Sequence, residues 1–276
     1  MSPRPLWPEW PALQRRLAAA REVTVLLDYD GTLVPLADHP ADARLPQRMR
    51  RLLEQLSRQP GVRVALVSGR SLRDLRRQVR LPGLGYVGNH GLELRDGTQR
   101  YVNAAAAKSR PYLRAIVRQL RRQLRPIRGA WVEDKGLTAS VHYRLVRPID
   151  LPHVQRIFYA VVQPYQIKRH VRVTTGRCVF EVRPPVSWSK ATMVNWLLTR
   201  QQDDAGRRSL PLYVGDDVTD EDAFELLRSR GLTVAVAPAA SGTRARYGVD
   251  TPEDVRRLLE RVLVIRRNHV RRLPRR

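Results

Sequence analysis

Short apolar runs alternate with amphipathic stretches along most of the chain. Val23-Thr24-Val25-Leu26-Leu27 is rich in β-branched residues and reads as a strand buried on both faces. Before it, Leu13, Leu17 and Ala20 recur at helical spacing. After it, Met49, Leu52, Leu53 and Leu56 do the same. Val62 to Val67 predicts a second buried strand, followed by an arginine-rich amphipathic helix over Ser71 to Val79. Gly85-Tyr86-Val87 predicts a short strand, with Leu92 to Leu94 as its hairpin partner. Towards the end, Leu212 to Val214 and Leu232 to Val236 are strands with a helix between them over Thr219 to Arg228, and a last helix runs from Pro252 to Val264. Strands alternating with helices in this way predict a parallel, doubly wound α/β sheet.

The middle has a different rhythm. Ala104 to Leu124 is one long helical pattern. Ala130 to Glu133 and Leu137 to Tyr143 then alternate like strands of a sheet with one solvated face. A second helix over Leu151 to Val162 and two more strands, Val171 to Thr174 and Cys178 to Val182, repeat that order. An α+β module inserted into the α/β domain accounts for this change of pattern.

Of 276 residues, 42% are apolar and 28% charged, enough apolar surface for a packed core and too much for a disordered chain. Only four of the 51 basic residues are lysines (Lys108, Lys135, Lys168, Lys190), so arginine dominates a net charge of +25. Such charge attracts nucleic acid, acidic membranes and anionic substrates. The arginines are spread along the chain, which fits a general compositional bias. The single cysteine, Cys178, rules out an intrachain disulfide and a multi-cysteine zinc site, and its apolar setting suggests a small buried residue. No run approaches the ~18 apolar residues of a membrane span. The proline-rich start lacks an apolar leader core, so a cytoplasmic location is expected. Arg266 to Arg276 reads as a flexible basic tail.

Polar groups gather where strands end, the place where open α/β sheets bind ligands. Four segments stand out: Asp28-Tyr29-Asp30-Gly31-Thr32-Leu33, Ser68-Gly69-Arg70, Lys190 after Pro184-Pro185, and Gly215-Asp216-Asp217-Val218-Thr219-Asp220. From Tyr213 to Glu225 there are six acidic residues and no basic one, against the trend of the chain. Convergence of Asp28, Asp30, Asp216, Asp217 and Asp220 would raise their pKa values by mutual repulsion. A hard divalent cation relieves that repulsion, and carboxylate oxygens with water and substrate phosphate are what Mg²⁺ prefers. Asp217, Glu221 and Asp222 equally suit the N-terminus of a helix.

The four segments, in this order, resemble the motifs of the haloacid dehalogenase superfamily. The chain further resembles trehalose-6-phosphate phosphatases in Val87-Gly88-Asn89-His90-Gly91, in Glu133-Asp134-Lys135 followed by His142-Tyr143-Arg144, in Glu181-Val182-Arg183-Pro184, and in Gly215 to Phe224. The likeness runs from about Val23 to about Val264. One departure is Trp188-Ser189-Lys190-Ala191, where the family usually has Trp-Asp/Asn-Lys-Gly; the lysine is kept and the local turn differs.

The resemblance implies a Rossmann-like core at 1–104 and 184–276 with an inserted α+β cap at 105–183 that sets specificity. It implies a Mg²⁺-dependent phosphomonoesterase releasing trehalose and phosphate through an aspartyl-phosphate. Asp28 would be the nucleophile, Asp30 the acid and base, and Lys190 the charge that steadies both the phosphoryl oxygens and Asp28. Thr32 and Ser68, with Gly69 and Arg70, would form the phosphate loop. Asp28, the Asp30 carbonyl and Asp216 would hold the metal, supported by Asp217 and Asp220. Glu133, Lys135 and Glu181, joined by Asn89 and His90, would contact the sugar. His142 fits packing better than binding. Sucrose phosphate or mannosyl phosphoglycerate are alternative substrates, since the core motifs serve any phosphomonoester. A nucleic-acid-binding or end-phosphatase role is a further alternative that the charge suggests, although aromatics for base stacking are only 6% of the chain. Oligomeric state is left open.

Overall fold

The computed structural model describes residues 2–176, 178–200, 209–237 and 242–272. In chain order the first elements are β1 (Arg4–Pro5), α1 (Leu6–Ala19), β2 (Val23–Leu27), α2 (Gln47–Ser57), β3 (Val62–Val67), α3 (Leu72–Val79), β4 (Gly85–Gly88), β5 (Glu93–Asp96) and β6 (Gln99–Val102). The middle contributes α4 (Ala104–Lys108), α5 (Arg110–Leu124), β7 (Trp131–Asp134), β8 (Ala139–His142), α6 (Leu151–Ile167), β9 (Arg172–Gly176) and β10 (Val179–Arg183). The last stretch holds α7 (Lys190–Thr199), β11 (Leu210–Gly215), α8 (Glu221–Leu227), β12 (Leu232–Val236), β13 (Tyr247–Val249) and α9 (Pro252–Arg272).

Two compact units result: Met1–Arg100 with Trp188–Arg276, and Tyr101–Ser187. The sequence pattern placed these borders at 104 and 184. The first unit is built on a nine-stranded sheet in the order β1-β13-β12-β11-β2-β3-β4-β5-β6. Its central strands β12, β11, β2, β3 and β4 are parallel, and β2, apolar but for Thr24, is buried at every position. Leu13 and Leu17 of α1, Leu53 and Leu56 of α2, and Leu258, Leu259 and Val262 of α9 pack into its core. The chain reaches β3 and β11 on opposite sides of β2, so the loops after β2 and β11 open next to each other. This is the crevice at which such sheets bind ligands.

The second unit is a four-stranded antiparallel sheet in the order β7-β8-β10-β9. Period-2 alternation gives it one apolar face. Val132, Ala139, Val141, Phe180 and Val182 pack on Leu113, Ile116 and Leu120 of α5 and on Val154, Phe158 and Val162 of α6.

Several local expectations change. The long helix from Ala104 breaks at Ser109, because Pro111 in the first turn of α5 has no N–H to bond the turn before it. Strands β1, β6 and β13 are edge or near-edge pieces of two to four residues, too short to show a period. Cys178 is only half-buried and sits at a positive φ of 60°, in the turn before β10 rather than inside a strand. The basic tail is helical through Arg272, and residues 273–276 lie outside those described. Arg266 is fully buried. It donates to the carbonyls of Ala20 (2.6 Å), Arg21 (2.7 Å) and Leu17 (3.3 Å), a cation closing the C-terminal end of α1.

Candidate active site

The backbone N–H of Asp28 donates to Val214 at 2.9 Å, continuing the ladder between β2 and β11 and setting the Asp28 carboxylate beside the Asp216 loop. Gly31 makes the close approach possible. It has a φ of +80°, and a Cβ there would lie 2.0 Å from Asp216 Oδ2; only glycine fits both demands. Lys190, the first residue of α7, is buried and bridges two carboxylates: Nζ is 3.0 Å from Asp28 Oδ1 and 2.8 Å from Asp220 Oδ1. Ser189 before it is the N-cap of the helix and makes no side-chain capping bond. Tyr213 donates its hydroxyl to the same Asp220 oxygen at 2.6 Å. Asp28, Asp216 and Asp220 each offer an oxygen within 4.8 Å of the others. Asp217, expected beside them, is turned away and exposed. Its Oδ1 accepts the Val218 N–H at 2.7 Å, and with Asp220 it forms a capping box, the helix-start role its position also suited.

The second loop organises the next carboxylate. Ser68 is buried, and its Oγ accepts the Arg70 N–H at 3.1 Å. The Arg70 guanidinium, expected among the phosphate contacts, is turned to two carboxylates and a carbonyl. Nε and Nη2 grip the two oxygens of Asp30 at 2.7 Å each, and Nη1 reaches Asp74 Oδ2 at 2.7 Å. Arg70 therefore holds Asp30, the carboxylate two residues after Asp28. Thr32 is buried with its hydroxyl 3.3 Å from Asp216 Oδ1, tying the first loop to the last.

Asn89 and His90 both occupy the left-handed region, with φ of 49° and 56°, where such residues are uncommon. The Asn89 N–H donates to the Arg70 carbonyl (2.7 Å) and the His90 N–H to the Ser68 carbonyl (3.0 Å), so hydrogen bonds hold the turn against its strain. Gly69 leaves room for the His90 ring, 2.5 Å from where its Cβ would be. Asn89 faces inward, its amide 2.6 Å from Glu93 Oε1, which also accepts the Leu72 N–H at 2.8 Å. Glu93 thus links the Asn89 turn to the start of α3. Sequence reasoning passed over it, because a single acid at a hairpin start carries no signal.

The electrostatics follow from burial. Burial raises the Asp28 carboxyl well above its usual range; Lys190 works against this, and the nearby carboxylates of Asp220 and Asp216 add to it. Burial, then Asp220, pushes Asp216 up to about 7. For Lys190, burial disfavours the ammonium, but Asp220 and Asp28 outweigh it and raise its pKa. The cluster has three carboxylates and one cation, the surplus of negative charge that a divalent metal neutralises.

In the second unit, the face of the sheet opposite its apolar core is polar. Glu133, Ser140 and Glu181 are direct cross-strand partners, as are Trp131, His142 and Val179. Lys135 Nζ lies 3.3 Å from Glu181 and 3.9 Å from Glu133. His142 bonds Glu133 at 2.9 Å and stacks on Trp131 with ring centroids 4.0 Å apart. Arg183 completes the row at 3.9 Å from Glu181. His142 therefore joins the polar face instead of the packing. The buried Val141 beside it marks the parity that could have assigned it.

A family model described as trehalose-phosphatase matches residues 26–253. A trehalose-phosphate phosphatase of Mycobacterium tuberculosis is 36% identical over 249 residues, 88% of this chain and 62% of that protein. The chain thus spans less than two thirds of the length of that relative. Among solved structures, the C-terminal domain of a C. albicans trehalose-6-phosphate phosphatase has a TM-score of 0.80 at 24% identity, covering 97% of this chain and 99% of that one. A haloacid dehalogenase-like hydrolase from Bacteroides thetaiotaomicron shares the fold, with a TM-score of 0.58 at 17% identity over 87% of this chain and 99% of its own. Since the matching segment runs from within β2 to the start of α9 and includes all four loop segments, the chain belongs to the trehalose-phosphatase family.

Proposed function

We propose that the protein hydrolyses trehalose 6-phosphate to trehalose and phosphate. The observation that carries this is the pairing of two carboxylates two residues apart with different partners: Asp28 on Lys190 in a buried acidic cluster, and Asp30 in the fork of Arg70. The separate partners give the two carboxylates separate roles: Asp28 is held for attack, and Asp30 is held two residues on for proton transfer.

In the first step an oxygen of Asp28 attacks phosphorus as the bond to the sugar oxygen breaks, giving an aspartyl-phosphate. Asp30 gives its proton to the departing sugar oxygen. In the second step Asp30 takes a proton from water as that water attacks the phosphorus, releasing phosphate and restoring Asp28. Lys190 steadies Asp28 and the phosphoryl oxygens with a fixed charge. Ser68 and Thr32 offer hydroxyls on the same loops, and the Gly69 backbone completes the turn. Arg70 acts by placing Asp30.

The residues present fit Mg²⁺. Asp28 and Asp216 are hard oxygen donors whose pKa values are raised by burial first and by neighbouring carboxylates second, and the Asp30 carbonyl lies in the same loop. Asp220 contributes from behind, since its oxygens are engaged by Lys190, Tyr213 and the Asp217 N–H. When bound, the ion neutralises charge on the transferring phosphoryl group.

For specificity, Glu133, Lys135 and Glu181 present paired hydrogen-bonding groups suited to sugar hydroxyls. Asn89 and His90 serve by shaping the loop that carries Ser68 and Arg70. The test is a phosphate-release panel with Mg²⁺ on trehalose 6-phosphate, sucrose 6-phosphate and glucose 6-phosphate. Preference for trehalose 6-phosphate is the expected result; no release from it, or equal release from all three, overturns the reading. Among the described residues no helix is long and apolar enough to cross a membrane.

A further inference from the structure

We infer that Asp74 is a positioning residue for the reaction, acting on Asp30 through Arg70. The inference rests on the reading of Asp30 as the acid–base group.

A guanidinium is a rigid plane, so fixing one edge fixes the other. The Nε/Nη2 edge of Arg70 holds Asp30, and Nη1 holds Asp74 Oδ2. Nη2 also donates to the Pro40 carbonyl at 2.8 Å, and the guanidinium carbon lies 5.1 Å from the Tyr29 ring centroid. Asp74 is the carboxylate on the Nη1 side of the guanidinium, away from the edge that Asp30 holds, so it is the charged partner that fixes that side of the plane.

Asp74 is itself anchored. It lies in the first turn of α3, where its N–H donates to the capping Ser71 Oγ at 3.2 Å, and Leu75 and Val79 bury the helix against the core. Its second oxygen accepts Arg77 Nη2 at 2.7 Å. That arginine is largely exposed, so the contact is screened, and Arg70 is the partner that Asp74 holds out of solvent.

The chain of contacts therefore runs from a helix anchor, through a buried cation, to a carboxylate beside the nucleophile. Without Asp74 the guanidinium would keep Asp30, the Pro40 carbonyl and the Tyr29 ring but lose its second carboxylate, and its shift would carry Asp30 off line. A shift of about 1 Å in a reacting group costs up to ~10²-fold in rate. Substrate affinity depends on other groups and should change little.

The experiment compares Asp74→Ala, Asp74→Asn, Asp74→Glu and Arg77→Ala with the parent on trehalose 6-phosphate and on an aryl phosphate, below the melting temperature of each. The alanine and asparagine variants should lose roughly tenfold or more in kcat on both substrates, with KM changed by less than about threefold. Asp74→Glu should recover part of the loss, because it returns a carboxylate to Arg70, and Arg77→Ala should match the parent. If the alanine variant does not fold, the near-isosteric asparagine variant gives the reading. Parent-like kcat in a folded Asp74→Asn protein, or a change confined to melting temperature, overturns the inference while leaving the proposed reaction standing. A parent without phosphatase activity, or an active Asp28→Asn variant, overturns the reaction itself.

Discussion

The loop cluster of the first unit and the polar sheet face of the second are both dense in charge, yet balanced differently. Around Lys190, three carboxylates share one cation, and burial drives two of them away from their ordinary ionisation. On the sheet face, Glu133 and Glu181 are matched by Lys135 and Arg183, with His142 against Glu133. In the proposed reaction the cluster would gain from a divalent cation and a phosphoryl group, whose interactions change as bonds break. The face carries its own cations beside its carboxylates, so a ligand there meets paired charges rather than a surplus of one sign. The first arrangement suits chemistry and the second suits recognition of a neutral, hydroxyl-rich body.

The largest effect should come from the cluster. Asp28→Asn keeps the shape and removes the attacking charge, so phosphate release should fall at least ~10³-fold on every substrate. A near-normal rate would remove the contrast, because the cluster would then not be the seat of reaction. Next come Glu133→Ala and Lys135→Ala. Each leaves a polar partner unmatched, at ~1–3 kcal/mol per hydrogen bond and more for a charged group, so kcat/KM for trehalose 6-phosphate should fall roughly tenfold or more. An aryl phosphate has no second sugar, and its hydrolysis should stay within a few-fold of the parent. Equal losses on both substrates would assign these residues to folding.

The two regions were also unequally legible in the sequence. The cluster showed itself because backbone rules fix it: buried strands end where β-branched runs end, and Asp28, Ser68 and Asp216 follow such ends directly. The polar face was half legible. Alternation around Val141 and Phe180 gave two faces, but register decided that Glu133, Ser140 and Glu181 share one row, and register comes from pairing across the sheet. What stayed hidden were contacts between residues distant in sequence. Nothing near Arg70 indicates that Asp30, 40 residues earlier, takes its fork. Likewise Arg266, one arginine in a run of basic residues, closes a helix end 246 residues away.

That arginine supplies a control outside both regions. Arg266→Ala strips charged donors from three carbonyls at the end of α1 and should cost ~1–3 kcal/mol. At about 2–4 °C per kcal/mol for a chain of this size, the melting point should drop by several degrees, with the trehalose 6-phosphate and aryl phosphate rates unchanged below it. A rate loss on either substrate would show that the fold around α1 and α9 reaches one of the two regions, and the contrast would need a third term.

The smallest effect tests the charge imbalance itself. In the metal-free protein the Asp216 carboxyl is raised from 3.8 to about 7. A carboxyl with a raised pKa favours the folded state through its protonated form. That contribution is full below the unfolded pKa and is lost as pH rises through the folded one. Between about pH 4 and 7, therefore, Asp216 makes the metal-free fold progressively less stable. Mg²⁺ must displace this proton at low pH but meets a bare carboxylate at high pH, and binding to the folded state alone raises its stability. The rise in melting temperature on adding Mg²⁺ over EDTA should thus be small near pH 5.5 and larger by a few degrees near pH 8. Comparing with and without metal at each pH cancels the background of a chain at net +25. Asp216→Asn should flatten the difference, whereas Glu181→Gln, on the face that carries its own cations, should leave it intact. An Mg²⁺ increment equal at both pH values, or undiminished in Asp216→Asn, would mean that the cluster is not short of positive charge and that the two regions are balanced alike.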